Sequence, residues 1–273
     1  DIKTVYVDEV QDRIYVGAHA GGMMVLHRKS GYIEYYNRHN SNLPSNNIYS
    51  IISDGYGGLW VASLEYLLHF DIDKRNFTIV DVDEDGHKLQ QYNRLLFCDS
   101  KKRIWAGGEM GISVFNQVGT SLLPNTDFQI ASVLKQAFVN CFYETSSGYL
   151  WIGTRNGLFA LKESDKQFLQ YTTENGLPSN VIYGILEDAY GRLWISTNQG
   201  LSCLNPESGK FRNFTIMDGL QGNQFNAGAY CRKDNGYMLF GGVNGITSFR
   251  PETLIDNPYA PKPVINKLFV HNK

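Results

Sequence analysis

The stretch DAYGRLWIST (188–197) is the clearest copy of a phrase that recurs along the chain. It joins a turn rich in Asp and Gly to a short apolar run that carries a large anchor residue. The other copies are DGYGGLWVAS (54–63), DSKKRIWAGG (99–108), TSSGYLWIGT (145–154) and, more weakly, VQDRIYVGAH (10–19) and KDNGYMLFGG (233–242). Successive anchors are 45, 45, 46, 43 and 45 residues apart, and they are Tyr15, Trp60, Trp105, Trp151, Trp194 and Leu239. A period of this size is typical of propellers and repeat arrays.

Each unit has the pattern of four short strands separated by turns. In 181–217, the strand-like runs VIYGILED, LWIST, LSCLNP and FRNFTI alternate with the turns AYGR, NQG and ESGK. A meander of this size cannot bury both of its faces alone, whereas radial stacking of copies buries them, with the Trp residues between neighbours. The Asp and Gly residues before each anchor are interpreted as turn formers.

The sequence therefore predicts an all-β fold, a β-propeller of about six four-stranded blades, either complete or part of a larger ring. The predicted propeller spans 1–257, with blades at 2–47, 48–91, 92–138, 139–180, 181–225 and 226–257. No clear outermost strand follows GITSFRP (245–251) in the last unit. Either PVINKLFVH (263–271) supplies that strand, or the ring has further blades.

Composition narrows the class of partner. The 273 residues include 25 Lys and Arg and 27 Asp and Glu, so the net charge of −2 gives no electrostatic reason to expect nucleic acid as a partner. Apolar content of 42% excludes disorder, and no apolar run is long enough for a membrane helix. The four cysteines are interpreted as buried free thiols, with a disulfide as the alternative, and they are Cys98, Cys141, Cys203 and Cys231.

Several phrases together resemble the two-component regulator propeller repeat. They are LPSNNIY (43–49), NGLPSNVIY (175–183), RNGLFAL (155–161) and QGLSCLN (199–205), combined with the turn and the LW[IV] run. Such repeats occur in the extracytoplasmic sensor regions of hybrid two-component histidine kinases of Bacteroidetes. The resemblance implies a periplasmic sensor that detects oligosaccharides released from a polysaccharide. It also implies a homodimeric parent kinase that meets the membrane through other parts of that protein, and residues 258–273 would be a linker and the first strand of an immunoglobulin-like domain.

Motifs of enzymes and of metal or cofactor sites are missing from the sequence. It contains no HExxH, nucleophile elbow, phosphate loop or dinucleotide fingerprint, so we expect no enzyme activity and no cofactor in this chain. Asp81, Asp83 and Asp85 match the opening of a calcium loop, but Tyr92 stands where the bidentate Glu belongs, so a solvated acidic loop is favoured and no metal is predicted. The alternatives to a sensor are a protein-interaction or dimerisation propeller without its own ligand, and a glycan hydrolase or lyase.

Topology predicts where a ligand would bind. In a four-stranded blade, the loop that enters the innermost strand and the turn between the second and third strands lie on one face, and here both are rich in Asn, Arg, Gln and Tyr. Amide and guanidinium donors beside aromatic rings suit the hydroxyls and C–H patches of sugars. Three candidates lie 11 residues before their Trp anchors, so we expect them in one layer of the channel. The predicted ligand-binding residues are Arg94, Asn140, Arg155, Asn156, Tyr183, Asn198, Asn226 and Asn244.

Overall fold

The chain folds into six antiparallel sheets that follow one another around a common axis. The computed structural model describes residues 1–63, 65–80, 93–134, 137–162 and 167–254. Each sheet is a meander in which strands adjacent in sequence pair with each other. Blades 1 and 2 consist of β1 Ile2–Asp8, β2 Arg13–Ala18, β3 Gly22–His27 and β4 Ile33–Tyr36, and of β5 Ile48–Ser53, β6 Leu59–Ser63, β7 Leu67–Asp71 and β8 Asn76–Ile79. Blades 3 and 4 consist of β9 Asn93–Cys98, β10 Arg103–Gly108, β11 Gly111–Val118 and β12 Ser121–Pro124, and of β13 Val139–Glu144, β14 Tyr149–Thr154, β15 Gly157–Lys162 and β16 Gln167–Tyr171. Blades 5 and 6 consist of β17 Ile182–Glu187, β18 Leu193–Thr197, β19 Gly200–Asn205 and β20 Lys210–Phe214, and of β21 Phe225–Arg232, β22 Met238–Gly242 and β23 Gly245–Phe249. The helical segments are α1 Gln129–Val133 and the 3₁₀ turns Thr173–Asn175, Ile216–Asp218 and Pro251–Thr253.

This architecture confirms the predicted all-β propeller of six blades. Blades 1 to 5 have four strands, and blade 6 has three strands in the described part of the chain. Strand β21 already begins at Phe225, the residue that the sequence analysis placed at the end of blade 5. The predicted immunoglobulin-like strand in 258–273, and the choice for the last strand at 263–271, lie outside the described residues.

The core consists of layers between neighbouring blades, as the Trp repeat predicted. Trp194 of blade 5 packs with Phe225 and Phe240 of blade 6, and Trp151 of blade 4 packs with Ile182 and Ile195 of blade 5. The same pairing joins Trp60 to blade 3 and Trp105 to blade 4. Each Trp therefore fills the space between its own blade and the next one.

The Asp of the repeated turn does more than form the turn. The Asp188 carboxylate is buried and accepts hydrogen bonds from Arg192 Nε at 2.7 Å and Trp194 Nε1 at 3.0 Å. Asp99 accepts the same two bonds from Arg103 Nε at 2.6 Å and Trp105 Nε1 at 2.8 Å. The carboxylate thus links the turn to the Trp that packs on the next blade, and this link is an addition to the interpretation made from the sequence.

The face predicted for the ligand is assembled by backbone hydrogen bonds between blades. Gly200, at the turn between β18 and β19, donates its N–H to Asn223 O at 2.6 Å, in the loop that enters blade 6. Gly157 donates in the same way to Asn180 O at 2.7 Å, and Gly22 donates to Asn46 O at 2.8 Å. Each of these bonds ties the turn of one blade to the entry loop of the next, so both elements lie on one face of the propeller.

Replacement of Gly200 by Ala should destabilise the fold by about 2–4 kcal/mol. Gly200 has φ +114, and a Cβ there would lie 2.3 Å from Phe214 O, so strain and a backbone clash add together. Urea denaturation followed by Trp fluorescence measures the loss. Gly209→Ala is the control, because Gly209 also has positive φ (+66) but nothing within 4 Å of a Cβ. Equal losses in both variants would contradict the role of the clash.

The seam between blades 6 and 1 is not packed like the others. Val5 on β1 is 56% exposed, whereas Ile185 at the same register position of blade 5 is 0% exposed. On the other side of the seam, Ile246 of blade 6 is 65% exposed, and its counterpart Leu201 is 1% exposed. The two apolar faces that would complete the ring are therefore open to solvent.

The cysteines are free thiols, as predicted, because none forms a disulfide. Cys141 and Cys203 are buried and Cys98 is half-buried, but Cys231 is exposed, so the expectation of four buried thiols is wrong for Cys231. Cys231 lies on β21, at the open seam, where no further blade in the described part of the chain covers it. In the described ranges, no helix is long and apolar enough to span a membrane.

Candidate functional site

The innermost strands all break register at the same level. In each of blades 1 to 5, one residue of the first strand has no opposite partner on the second strand, which is the signature of a β-bulge. In blade 6 the irregular stretch extends from Asn226 to Ala229. A bulge re-aims the side chain of the extra residue. We call these residues the bulge layer, and they are Lys3, Tyr49, Arg94, Asn140, Tyr183 and Asn226.

The structure brings together four predicted residues at this level, three at single-residue bulges and Asn226 at the start of the irregular stretch of blade 6. Arg94, Asn140 and Tyr183 are the bulged residues of β9, β13 and β17, so the common layer expected from their common spacing is confirmed. The sequence analysis missed Lys3 and Tyr49. Tyr49 has the same spacing of 11 residues to Trp60 and could have been found. Lys3 lies 12 residues before Tyr15, because the pair Val7–Ile14 encloses one residue more than the equivalent pair Glu187–Leu193 of blade 5.

Arg94 joins blades 2 and 3 within the bulge layer. Its guanidinium carbon lies 5.0 Å from the centre of the Tyr49 ring, and its Nη2 pairs with Glu109 Oε1 in the turn between β10 and β11. The centre of the His19 ring lies 6.4 Å from that of the Tyr49 ring. Arg94 Nε is buried and has no hydrogen-bond partner among the described residues. The arrangement holds the guanidinium plane in place and leaves one donor available.

Several of the predicted residues make contacts of their own within the protein. Asn140 Nδ2 donates to Ile182 O at 2.8 Å, so part of its amide is used to join blades 4 and 5. The Arg155 guanidinium lies 3.8 Å from the centre of the Phe138 ring, and Asn198 Oδ1 is buried without a partner in the described chain. Asn156 and Asn244 make local hydrogen bonds through their main-chain N–H groups. Asn156 N donates to Thr154 Oγ1 at 2.9 Å, and Asn244 N donates to Gln221 Oε1 at 2.8 Å.

These contacts define what the face can do chemically. The bulge layer and the adjoining turns present three cations, amides, phenol rings and the Glu109 carboxylate. Such a mixture can donate to and accept from hydroxyl groups and can pack against the C–H face of a ring. In the described part of the chain, no group of three or more His, Cys, Asp or Glu residues could hold a metal ion. The acidic phrase at Asp81, Asp83 and Asp85 lies outside that part.

A family model and a curated relative both link the sequence to proteins of two-component systems. The sequence model of the two component regulator propeller matches residues 42–65, 134–156 and 176–199. Histidine kinase P4 of Formosa agariphila is 28% identical over 214 residues, which are 76% of this chain and 15% of that relative. The chain thus spans less than a sixth of the length of this curated relative.

Solved structures share the fold. The extracellular domain of a protein assigned as a hybrid two component system from B. thetaiotaomicron has a TM-score of 0.68 at 21% identity, over 92% of this chain and 39% of that chain. Virginiamycin B lyase from Staphylococcus aureus has a TM-score of 0.65 at 14% identity, over 92% of this chain and 85% of that chain. An extracellular domain of a two component system and an enzyme therefore share this architecture, and the fold alone does not choose between their functions. The two component regulator propeller model thus matches the segments that carry the first two strands of blades 2, 4 and 5.

Proposed function

We propose that the chain is a sensor propeller from the periplasmic region of a hybrid two-component histidine kinase, and that it binds an oligosaccharide at the bulge layer. The observation that carries the proposal is the shared register break of the innermost strands. Bulges are concentrated next to binding sites, where they re-aim side chains. Here, they set cationic, amide and phenolic side chains at one level around the axis.

The chemistry of this face favours a sugar over an anion or an apolar ligand. Lys3 pairs with Asp1 at 2.7 Å and Arg94 pairs with Glu109, so neither cation offers an unpaired charge that would select an anion. Arg94 Nε and Asn198 Oδ1 are a donor and an acceptor that lack protein partners, and a hydroxyl group can satisfy either of them. The Tyr49 and Tyr183 rings offer flat surfaces for the C–H patches of a pyranose.

The proposal includes a non-catalytic role for this chain. A ligand that touches several blades at once would favour one packing of those blades over another, and that difference in affinity is the basis of signal transfer. The following domain and the membrane-bound parts of the parent kinase would carry the signal onward. The lyase with the same fold makes activity an outcome of the test, since an enzyme would release new reducing ends from a polysaccharide during incubation.

The binding test combines a glycan array with calorimetry on the strongest oligosaccharide. We expect Arg94→Gln to weaken the affinity at least tenfold, because a hydrogen bond from a charged donor is worth about 1.5–3 kcal/mol. Lys210→Gln is the control, since Lys210 is an exposed cation on the outermost strand of blade 5, far from the bulge layer. A folded protein that binds no oligosaccharide, or equal affinity in both variants, would contradict the proposal.

The second candidate is a protein-interaction or dimerisation propeller, and the open seam favours it. Val5 and Ile246 expose apolar surface that the equivalent residues of other blades bury against a neighbour. Under this alternative, light scattering would show stable association that Val5→Lys abolishes, and the glycan array would stay negative. Under the sensor proposal, glycan binding persists in Val5→Lys.

A further inference from the structure

A second cavity lies between blades 4 and 5, at the opposite face from the bulge layer. The turn between β13 and β14 and the turns of blade 5 border it, and its volume is about 280 Å³. Three phenol rings, two carboxylates and one indole provide its main functional groups. These belong to Tyr149, Tyr171, Tyr190, Glu187, Glu207 and Trp151.

Trp151 in this cavity lacks the hydrogen bond that its equivalents make. Trp105 Nε1 and Trp194 Nε1 donate to the turn carboxylates Asp99 and Asp188 at 2.8 and 3.0 Å. In blade 4 the turn residue is Thr145, which is too short to replace that carboxylate. Trp151 Nε1 is buried and has no acceptor among the described residues. An unsatisfied buried donor is costly, so it favours a ligand that supplies an oxygen.

Thr145 does not compensate, because its hydroxyl is already engaged within the turn. Its Oγ1 lies 2.9 Å from Ser147 Oγ and accepts from Tyr149 N at 3.1 Å. The missing carboxylate would project from the turn that borders the cavity, since Ser147 and Tyr149 both line it. The unsatisfied indole N–H and the cavity therefore lie next to each other, at the position that a turn carboxylate would occupy.

The seam between blades 3 and 4 supplies a matched comparison inside the same molecule. A cavity of about 270 Å³ lies there, lined by Trp105, Phe128 and the turn of blade 3. In that cavity Asp99 satisfies the indole, and the Arg103 guanidinium carbon lies 5.9 Å from the centre of the Trp105 ring and 4.8 Å from that of Phe128. The two cavities have similar volumes and equivalent positions in the fold. They differ in the acceptor for the indole N–H, which is Asp99 in one and is missing in the other.

The lining restricts the chemistry of a ligand. Glu187 accepts from Ser146 N and Ser146 Oγ, both at 3.0 Å, so its carboxylate is held in place at the edge of the cavity. With the exposed Glu207 it disfavours an anion, while the indole N–H requires an acceptor oxygen, which a simple ammonium or metal cation lacks. The Tyr171 ring stacks with Trp151 at 5.9 Å between ring centres. A neutral ring that carries hydroxyl groups meets all of these conditions.

We propose that this cavity is a second ligand site that takes one pyranose unit, with a sugar oxygen accepting the hydrogen bond from Trp151 Nε1. The Glu207 carboxylate accepts from a sugar hydroxyl, and the tyrosine rings cover the C–H face. The site is remote from the bulge layer and does not depend on the function proposed for that layer.

The indole N–H signals in ¹H–¹⁵N NMR spectra test this site directly. The protein has four Trp residues, so four signals are expected, and single Trp→Phe variants assign them. Methyl β-D-glucopyranoside, galactopyranoside and mannopyranoside are the probes, each titrated to 100 mM. We expect at least one of them to shift the Trp151 signal saturably, while the Trp105 signal stays in place. If none of the three moves the Trp151 signal, solvent alone satisfies the indole and the site is overturned.

Thr145→Asp supplies the decisive variant, because it gives blade 4 the turn residue of blades 3 and 5. The variant should fold with an unchanged or higher midpoint of thermal unfolding, and its indole signal should move downfield without sugar. The sugar-induced shift should then fall at least tenfold at equal probe concentration. A folded Thr145→Asp protein that responds to the sugar like the unaltered chain would refute the proposal.

Discussion

Replacement of Asp188 by Ala is expected to lower the free energy of unfolding by about 3–5 kcal/mol. The buried carboxylate accepts from Tyr190 N at 2.9 Å and from Arg192 N at 3.0 Å, in addition to Arg192 Nε and Trp194 Nε1. Removal of the carboxylate leaves all four donors without their acceptor, and the indole is buried at the packing surface of blade 6. The cost of unsatisfied buried donors therefore exceeds the value of any one bond.

Urea denaturation followed by Trp fluorescence measures this loss, and two further variants interpret it. Asp188→Asn keeps an acceptor oxygen without the charge, so its loss should be smaller. Asp234 stands in the corresponding turn of blade 6 but is exposed, so Asp234→Ala should change stability by less than about 0.5 kcal/mol. If Asp188→Ala and Asp234→Ala cost the same, the carboxylate is only a turn former.

This carboxylate also illustrates what the sequence could predict. The 45-residue period and the Trp anchors predict the blades and the layers between them, because stacked copies must bury the same face in every unit. The bond from Asp188 to Trp194 was missed, because the six-residue separation says nothing about which atoms meet across the hairpin. Blade 2 is harder still: Gly58 replaces the Arg, and His69 from the third strand lies 2.7 Å from Asp54 Oδ2 instead. A Cβ on Gly58 would lie 2.7 Å from His69 Nε2, so the Gly makes room for this partner.

The sequence could predict that the candidate residues share one layer, but it could not predict the β-bulges that expose them. A constant offset to the Trp predicts that Arg94, Asn140 and Tyr183 share one layer, since equivalent positions of a repeat are equivalent in space. The bulge that exposes them depends on hydrogen-bond register, which side-chain patterns do not report. The exposure of Val5 was not predictable either, because the burial of a blade face depends on what lies across the seam.

Alkaline pH should destabilise the propeller, and we expect the free energy of unfolding to fall by about 5 kcal/mol between pH 8 and pH 11. Burial raises the pKa of the Cys141 thiol from 9.0 to about 12 and that of the Cys203 thiol to about 11. Burial also raises the pKa of the Tyr230 hydroxyl above its ordinary value of 10.0. Above pH 9 the unfolded chain loses protons that the folded chain keeps, so the stability is complete below pH 9 and falls as pH rises. Each of the two thiols costs about 1.4 kcal/mol per pH unit between pH 9 and pH 11, and the Tyr230 hydroxyl adds a smaller loss above pH 10.

Urea denaturation at pH 8, 9, 10 and 11 measures the slope, and the cysteines supply a matched pair of variants. Cys141→Ala removes a group that titrates only in the unfolded chain over this range, so it should recover roughly 3 kcal/mol of the loss at pH 11 after correction for its own cost at pH 8. Cys231→Ala should leave the slope unchanged, because the exposed Cys231 thiol is in contact with solvent in the folded chain as well. Equal slopes in the two variants would mean that Cys141 is not kept protonated by its burial between blades 4 and 5. A stability that rises between pH 9 and pH 11 would contradict the sign of the effect.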